Sequence, residues 1–349
     1  MFGIQKPSLL IWSVIFSSIV LTSCSHEAVV EGIDFFGETQ GTTYHVIIAE
    51  EATTVTQSQI DSLLHAFDLS LSTYIDSSVI SKLNAADTAL KIDDASGFFR
   101  ACYTESKHVF ELTNGAFDPT VFPLVQGWGF MNNPQNPLNQ KEVDSILQFV
   151  GFDRNHTVSF VGNSVHIFKE KSGIKLDFNA IAQGYSVDVL AQFLKAKGHT
   201  NFYVEIGGEL VVSGVNRTGD KWSIGVDVPE SNAEGRPIEN ILLLSNNAIA
   251  TSGNYRKFYE VDGQKYAHTL DPKTGFPVQH SLLSASVIAP NCAQADAFAT
   301  AFMVLGAEKT LAFVKSHPEL ELEVYLLVSN TEGTFDRLMS PGFKKFLKN

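Results

Sequence analysis

A carboxylate and a hydroxyl stand four residues apart in an otherwise apolar stretch. Asp296 and Thr300 lie in a run that is predicted to form a helix over about residues 294–305. Because side chains four residues apart share one face of a helix, both oxygen groups would point the same way. Such hard ligands suit Mg²⁺, which otherwise keeps waters and substrate phosphates. The alternative is a solvent-facing Asp with Thr as filler.

A histidine precedes a turn sequence further upstream. His268 stands before Asp-Pro-Lys-Thr-Gly at 271–275, in which Pro restricts φ and Gly permits a positive φ. A turn explains Asp271 to Gly275 but not a His at the end of a hairpin strand, where it could titrate near neutral pH. His268 is therefore a candidate functional residue. A purely structural turn is the alternative.

Two stretches of small residues could bring main chain close to a ligand. The run Thr251-Ser252-Gly253-Asn254-Tyr255-Arg256 follows apolar residues, and its small residues would expose N–H groups and hydroxyls that can cradle a phosphate. Gly207 and Gly208 lie between predicted strands 202–206 and 209–213. For both stretches the alternative is a tight β turn.

Aromatic residues, net charge and the absence of common motifs limit the kinds of ligand that the protein could bind. Phe117, Trp128 and Phe130 could stack on a flat heterocycle, although aromatic side chains are more often core. The 349 residues carry a formal net charge of −13, which disfavours sequence-independent nucleic-acid binding. The sequence contains no GxGxxG before a helix, no Walker A motif, no CxxC pair, no HExxH and no nucleophile elbow. The usual nucleotide-binding scaffolds are therefore excluded.

The first segment predicts the compartment. Lys6 precedes an apolar run over 9–21 that is too short to span a bilayer but suits a secretory signal. It ends in Leu-Thr-Ser-Cys, which resembles a lipobox with Cys24 as the lipidated residue. We expect a signal peptide over 1–23, a tether over 24–32 and one domain over 33–349; an ordinary signal peptide is the alternative. Whether Cys102 and Cys292 pair is open at this stage.

The remaining pattern predicts strands mixed with long helices, without regular βαβ alternation, and hence an α+β fold. Capping boxes at Thr56 and Asn139 open two helices, the second ending at Gly151. Further helices are predicted over about 96–114 and 180–197. Strands are predicted over 43–49 and 222–228, and a hairpin joins 258–261 to 265–270. The Pro- and Asn-rich stretch 132–139 is the candidate lobe boundary.

Taken in order, these motifs resemble the ApbE-type FAD:protein FMN transferases. The matching stretches are 41–44, 70–74, 76–77, 83–84, 115–120, 123–125, 128–130, 176–185, 205–210, 251–256, 268–275 and 295–300. The resemblance runs from about Thr39 to Phe346. It implies a two-lobed, T-fold-like α+β architecture with the FAD site between the lobes.

The resemblance also implies site residues. Mg²⁺ would be held by Asp296, Thr300 and the main-chain oxygens of Ala180 and Ala299. FAD contacts are expected at Gln40, Ser72, Thr73, Tyr74, Ala116, Phe117, Asp118, Asp177, Gln183 and Leu270, besides His268 and the stretches Gly207–Gly208 and Thr251–Gly253. Many relatives carry Met at the position of Gln40 and Lys at that of Gln183, so phosphate neutralisation at Gln183 is in doubt.

The activity implied is Mg²⁺-dependent transfer of FMN from FAD, as substrate, to a Thr or Ser hydroxyl, with release of AMP. For this transfer His268 is the candidate base or orienting group, and Asp271 and Asp296 are its competitors. The implied partner is a membrane or periplasmic redox protein, and the implied place is the bacterial cell envelope, facing the periplasm, with Cys24 as lipid anchor. An FAD pyrophosphatase giving FMN and AMP, and a non-catalytic FAD-binding lipoprotein, are the alternatives.

Overall fold

The structure is a computed structural model that describes residues 1–3, 29–130, 137–154, 156–227, 238–254, 258–261, 264–332 and 334–348. The lipobox with Cys24, most of the stretch 132–139 and the turn at Asp262-Gly263 lie outside the described residues. In the part that is described, no helix is long and apolar enough to cross a membrane.

The strands and helices alternate irregularly along the chain. The strands are β1 Ile33–Thr39, β2 Thr42–Ile48, β3 Ala89–Asp93, β4 His156–Val161, β5 Ser164–Lys169, β6 Phe202–Ile206, β7 Glu209–Ser213, β8 Trp222–Asp227, β9 Ile238–Leu244, β10 Asn247–Gly253, β11 Phe258–Val261, β12 Gln264–Ala267, β13 Leu282–Ala289, β14 Glu323–Ser329 and β15 Phe335–Met339. The helices are α1 Gln57–Leu71, α2 Val79–Ala85, α3 Phe98–Leu112, α4 Phe122–Gly127, α5 Gln140–Leu147, α6 Ala182–Ala196, α7 Cys292–Leu305 and α8 Ala307–Ser316. The mixture confirms the α+β class.

An eight-stranded antiparallel sheet carries the fold, in the order β1-β2-β6-β7-β10-β13-β14-β15. Alternation along the strands separates two apolar faces. On one face, Val46 and Val204 pack with Leu190 of α6. On the other, Ile249 and Tyr325 pack with residues of the β8–β9 pair. A smaller sheet, β3-β5-β4, is not hydrogen-bonded to the large one. The lobe boundary near 132–139 stays a prediction.

Local signals set most helix ends. The capping box at Thr56 is present, with Gln59 closing it, and the second at Asn139 is closed by Glu142. α5 ends at Leu147, so the predicted end at Gly151 is wrong. The intervening residues form turns instead, in which the N–H groups of Phe149 and Val150 donate three residues back.

α7 is the central helix of the molecule. Ten of its fourteen residues are buried, and Ala residues occupy many of the contact positions. A helix that is apolar all round belongs in a core, and small side chains let its neighbours approach closely. Cys292 at its first turn and Cys102 on α3 are buried free thiols, so they form no disulfide with each other.

Candidate active site

The Asp296 carboxyl is the buried acid of α7. Its side chain lies near the start of α6, where the Gly184 N–H donates to Asp296 Oδ2 at 3.0 Å, and the residue is only 6% exposed. Gly184 makes this approach possible, because a Cβ at that position would overlap the Cys292 carbonyl and lie 2.8 Å from Asp296 Cβ. Asp296 therefore has the partner that an acid in an apolar helix requires.

Thr300 lies one helical turn beyond Asp296 and faces strand β10. Its Oγ1 is 3.2 Å from Ser252 Oγ. Asp296 and Thr300 thus project from one stretch of α7, as their spacing predicted, and the sheet adds a second hydroxyl. Thr251 points to the other side of the sheet, where its Oγ1 is 2.7 Å from Ser286 Oγ.

Thr251–Gly253 do not form the nest that would cradle a phosphate, and their contact with FAD stays a prediction. These residues belong to β10 and pair with Ser286, Ala285 and Ser284 of β13. A nest requires successive N–H groups to converge, whereas along a strand they alternate in direction. Thr251–Gly253 themselves are strand and not a tight turn, and Tyr255 and Arg256 of the same stretch lie outside the described residues.

Charge at Asp296 is unfavourable without a cation. Burial raises the pKa of Asp296 to about 7, the Gly184 N–H opposes that shift, and the charge of Asp188 adds to it. No described Lys or Arg is among the groups that act on this carboxyl. A divalent cation would favour the ionised form, so the electrostatics of Asp296 fit a metal ligand.

The donor set fits Mg²⁺ through oxygen atoms only. Among the described residues, no group of three His, Cys, Asp or Glu is placed to hold a metal. Mg²⁺ does not require such a group, since one carboxylate with neutral oxygens, waters and substrate phosphates suffices. Ala180 lies in the turn before α6. Ala299 lies within α7, so only the second lone pair of its carbonyl is open to a ligand.

One end of the large sheet collects several predicted FAD contacts. Gln40 occupies the β1–β2 turn at φ 53°, and its Oε1 accepts from Ser186 Oγ at 3.4 Å. Gln183 Nε2 donates to Ile206 O at 2.9 Å, beside the Gly207–Gly208 turn. The Gln183 amide is therefore tied to the main chain beside the β6–β7 turn, which leaves fewer of its N–H groups for a phosphate.

The segment after α1 carries an unsatisfied polar atom and an exposed ring. Thr73 Oγ1 is buried and has no hydrogen-bond partner among the described residues. Tyr74 is 70% exposed, and its N–H donates to Ser72 Oγ at 3.2 Å. A buried hydroxyl without a partner is uncommon, and it fits a position that a ligand completes.

Two predicted FAD contacts, Asp118 and Asp177, order main chain. Asp118 accepts from the Thr120 N–H at 2.8 Å, and Asp177 accepts from the Asn179 N–H at 2.8 Å. Burial raises the pKa of each carboxyl to about 6. The Asp177 N–H donates to Pro119 O at 2.7 Å, so the two segments are adjacent. Ala116 and Phe117 are buried, and their contact with FAD stays a prediction.

The stretch from His268 to Gly275 packs against the aromatic motif near α4. Trp128 Nε1 donates to Gly275 O at 2.8 Å, and the rings of Phe130 and His268 are 4.9 Å apart. Leu270 is buried in the same cluster. Trp128 was expected to stack on a flat heterocycle, but it is fully buried. It packs against the loop that carries His268 instead.

Hydrogen bonds define the two ends of that loop. Thr269 Oγ1 donates to Asn254 Oδ1 at 2.6 Å, which ties the loop to the end of β10. Asp271 Oδ1 accepts from the Lys273 N–H at 2.8 Å, and the Gly275 N–H donates to Asp271 O. Asp271 therefore orders the turn, and the His268 side chain directly follows β12.

Two residues of the site escaped the sequence analysis as individual candidates. Gly184 stood within a matching motif, and a Gly inside a predicted helix is a signal of close approach. Asp188, one turn further along α6, accepts from the N–H groups of Cys292 and Ala293 at the start of α7. No local pattern distinguishes Asp188 from a solvent-facing helical Asp.

Comparisons with known proteins agree with this architecture. The chain is 32% identical over 335 residues to the FAD:protein FMN transferase of Haemophilus influenzae, covering 94% of each chain. It is 32% identical over 317 residues to that of Escherichia coli, covering 89% of this chain and 88% of the other. The structure resembles the flavin transferase ApbE from Vibrio cholerae with a TM-score of 0.79 at 31% identity, covering 91% and 99%.

The class that fold and site define is an α+β enzyme with a buried acid and two hydroxyls between a central helix and its sheet. Residues 40–326 match the ApbE family. The chain belongs to the ApbE family, and the resemblance noted from its motifs is confirmed.

Proposed function

We propose that the chain transfers FMN from FAD to a Thr or Ser hydroxyl of an acceptor protein, with Mg²⁺, and releases AMP. The observation that carries the proposal is the buried Asp296 carboxyl with Thr300 and Ser252 beside it. The relatives' names supply the flavin and the protein acceptor. The buried, unpartnered Thr73 hydroxyl supports a ligand close to the end of α1.

The reaction is a phosphoryl-group displacement. The acceptor oxygen attacks the phosphorus on the FMN side of the pyrophosphate, the bond from that phosphorus to the AMP oxygen breaks, and AMP leaves. Asp296 and Thr300, with the main-chain oxygens of Ala180 and Ala299, would hold Mg²⁺, which would neutralise the charge that develops on the phosphates. The acidic net charge is no obstacle, because the positive charge is needed only locally.

The acceptor hydroxyl must also lose its proton. His268 is the proposed base or orienting group, since its ring is held against Phe130 next to a loop tied to β10. Asp271 is the second candidate, but one of its oxygens already accepts a turn N–H. Asp296 is the third candidate, and His268 is the residue that the substitution below tests.

Replacing His268 tests this role. We expect His268→Ala to lower turnover by about 10²-fold or more, because a base acts in the transition state, and to change FAD affinity far less. Stopped-time assays of AMP release and equilibrium FAD binding measure the two effects. His108→Ala, on the exposed side of α3, is the control and should retain full turnover. A variant that binds FAD poorly but turns over normally would make His268 a binding residue.

The acceptor experiment separates the proposed function from its alternatives. The full chain is incubated with FAD and Mg²⁺, with and without a candidate redox subunit from the same genome. A transferase adds one FMN-phosphoryl mass to one Thr or Ser of that subunit and releases an equal amount of AMP. FMN and AMP formed at a rate independent of the subunit, with no mass shift, indicate a pyrophosphatase. FAD binding with neither product indicates a storage protein.

We also propose that the chain is a lipoprotein of the cell envelope that faces the periplasm. The support is the sequence of the first 24 residues, with Cys24 after a short apolar run. Anchoring would hold the enzyme beside membrane redox subunits, and two or more acyl chains would make it firm.

Substitution of Cys24 tests the anchor. We expect Cys24→Ala to release the protein from membranes without altering catalysis by the purified chain, because the residue is remote in sequence from the proposed site. Fractionation with a salt wash, followed by immunoblotting, measures the distribution. Cys102→Ala, which removes a core thiol, should remain in the membrane fraction. Sedimentation of Cys24→Ala with washed membranes would require a different anchor.

A further inference from the structure

The Asp188 carboxyl joins α6 to the first turn of α7. Its Oδ1 accepts from the Cys292 N–H at 2.9 Å, and its Oδ2 accepts from the Ala293 N–H at 2.8 Å. The first amides of a helix have no acceptor within the helix, so Asp188 satisfies two of them from a neighbouring element. Asn291 caps the same end through the Gln294 N–H.

A reciprocal bond runs the other way between the two helices. The Gly184 N–H of α6 donates to Asp296 Oδ2 of α7 at 3.0 Å. Gly184 and Asp188 are one turn apart on α6, and Cys292 and Asp296 are one turn apart on α7. Each helix thus supplies one carboxylate to the other's main chain, and α7 cannot rotate or slide without breaking at least one of these bonds.

The position of α7 relative to α6 matters for Mg²⁺ binding. Mg²⁺ requires near-octahedral geometry with short oxygen distances, so small displacements of a ligand weaken its binding. Any shift in the first turn of α7 would move the Asp296 carboxyl directly. The charge of Asp188 also acts on Asp296, so it adds to the attraction for a cation.

We propose that Asp188 is a positioning residue for the Mg²⁺ site, which it serves by fixing the start of α7 relative to α6. The inference rests on the Mg²⁺ requirement of the proposed function. Asp188→Asn keeps the side-chain volume but replaces one acceptor oxygen by an NH₂ group, which would face an N–H donor. It also removes the negative charge.

The test is metal binding, followed without turnover. Mn²⁺ is titrated into the full chain with ADP and, as a blank, into ADP alone, and the extra loss of the EPR signal of free Mn²⁺ reports binding by the chain. We expect Asp188→Asn to bind Mn²⁺ about 10- to 100-fold more weakly than the wild-type chain, the range typical when a residue that orients a ligand is lost.

Asp94→Asn is the matched control. The Asp94 carboxyl is buried and accepts from the Phe99 and Arg100 N–H groups at the start of α3, at 3.3 and 3.0 Å. Its substitution removes a comparable cap from a helix that carries no proposed metal ligand. We therefore expect a loss of stability with unchanged Mn²⁺ affinity, which separates positioning from general destabilisation.

The outcomes of the Mn²⁺ titrations decide whether Asp188 has a positioning role. Wild-type affinity in folded Asp188→Asn, or an equal loss in Asp94→Asn, overturns the positioning role. Failure of the wild-type chain to bind Mn²⁺ rejects the metal requirement itself, and this inference with it. If Asp188→Asn does not fold, Asp188→Glu decides, because its longer stem should displace α7 and weaken Mn²⁺ binding about tenfold. Wild-type affinity in Asp188→Glu would then overturn the proposal.

Discussion

Asp296→Asn should reduce AMP release from FAD by about 10²-fold or more, comparable to the loss of one preorganised charge-stabilising group. The substitution preserves shape and can keep an acceptor for the Gly184 N–H, but it removes the negative charge that would bind Mg²⁺. Folding should be retained, because burial of a neutral amide costs less than burial of a carboxylate that has no cationic partner. AMP release over a range of Mg²⁺ concentrations, with circular dichroism of the same samples, measures both effects.

The control for this prediction is again Asp94→Asn, an isosteric change at a buried helix-capping carboxylate. It should lower stability and leave turnover per folded molecule unchanged. Wild-type turnover by Asp296→Asn would contradict the metal assignment. So would undiminished turnover by the wild-type chain in excess chelator.

Of the substitutions proposed here, Gly184→Ala should lower the free energy of unfolding most, by more than about 3 kcal/mol. It should also abolish activity. The added methyl would overlap the Cys292 carbonyl oxygen and approach Asp296 Cβ to 2.8 Å. Neither group can move away as the end of a flexible side chain could, since both belong to the buried start of α7. The helices would have to separate, breaking the bond from the Gly184 N–H to Asp296. Urea unfolding and AMP release measure the two losses.

Gly198→Ala is a fair comparison because it lies just beyond the other end of α6. Nothing lies within 4 Å of the added methyl, but Gly198 has φ +92°, so we expect a cost of about 1–2 kcal/mol from backbone strain alone. Equal losses in the two variants would show that close packing at Gly184 is unimportant.

Short-range sequence patterns predicted secondary structure correctly where all the interacting residues lie within a single turn. The capping boxes at Thr56 and Asn139 are present because each needs only residues within the first helical turn. The double Gly at 207–208 forms the turn between β6 and β7, with positive φ at both positions. The i, i+4 spacing placed Asp296 and Thr300 together for the same reason.

Sequence patterns predicted the wrong secondary structure where the same residues are compatible with two local conformations. Thr251–Gly253 has the composition of a turn or nest, yet it extends β10, because β13 offers it a partner. Pairing with a strand more than 30 residues away in the chain outweighs local preference. The hairpin strand predicted to reach residue 270 ends at Ala267, and the segment beyond packs against Trp128 instead.

The sequence by itself determined the family, the α+β class and the residues of the motifs, because these depend on residue identity, spacing and order. Only the tertiary structure decided how the site is assembled. Ser252 meets Thr300 across 48 residues, Gly184 meets Asp296 across 112, and Asp188 meets Cys292 across 104. Such contacts follow from burying whole faces of α6, α7 and the sheet against one another, a free energy that no local segment contains.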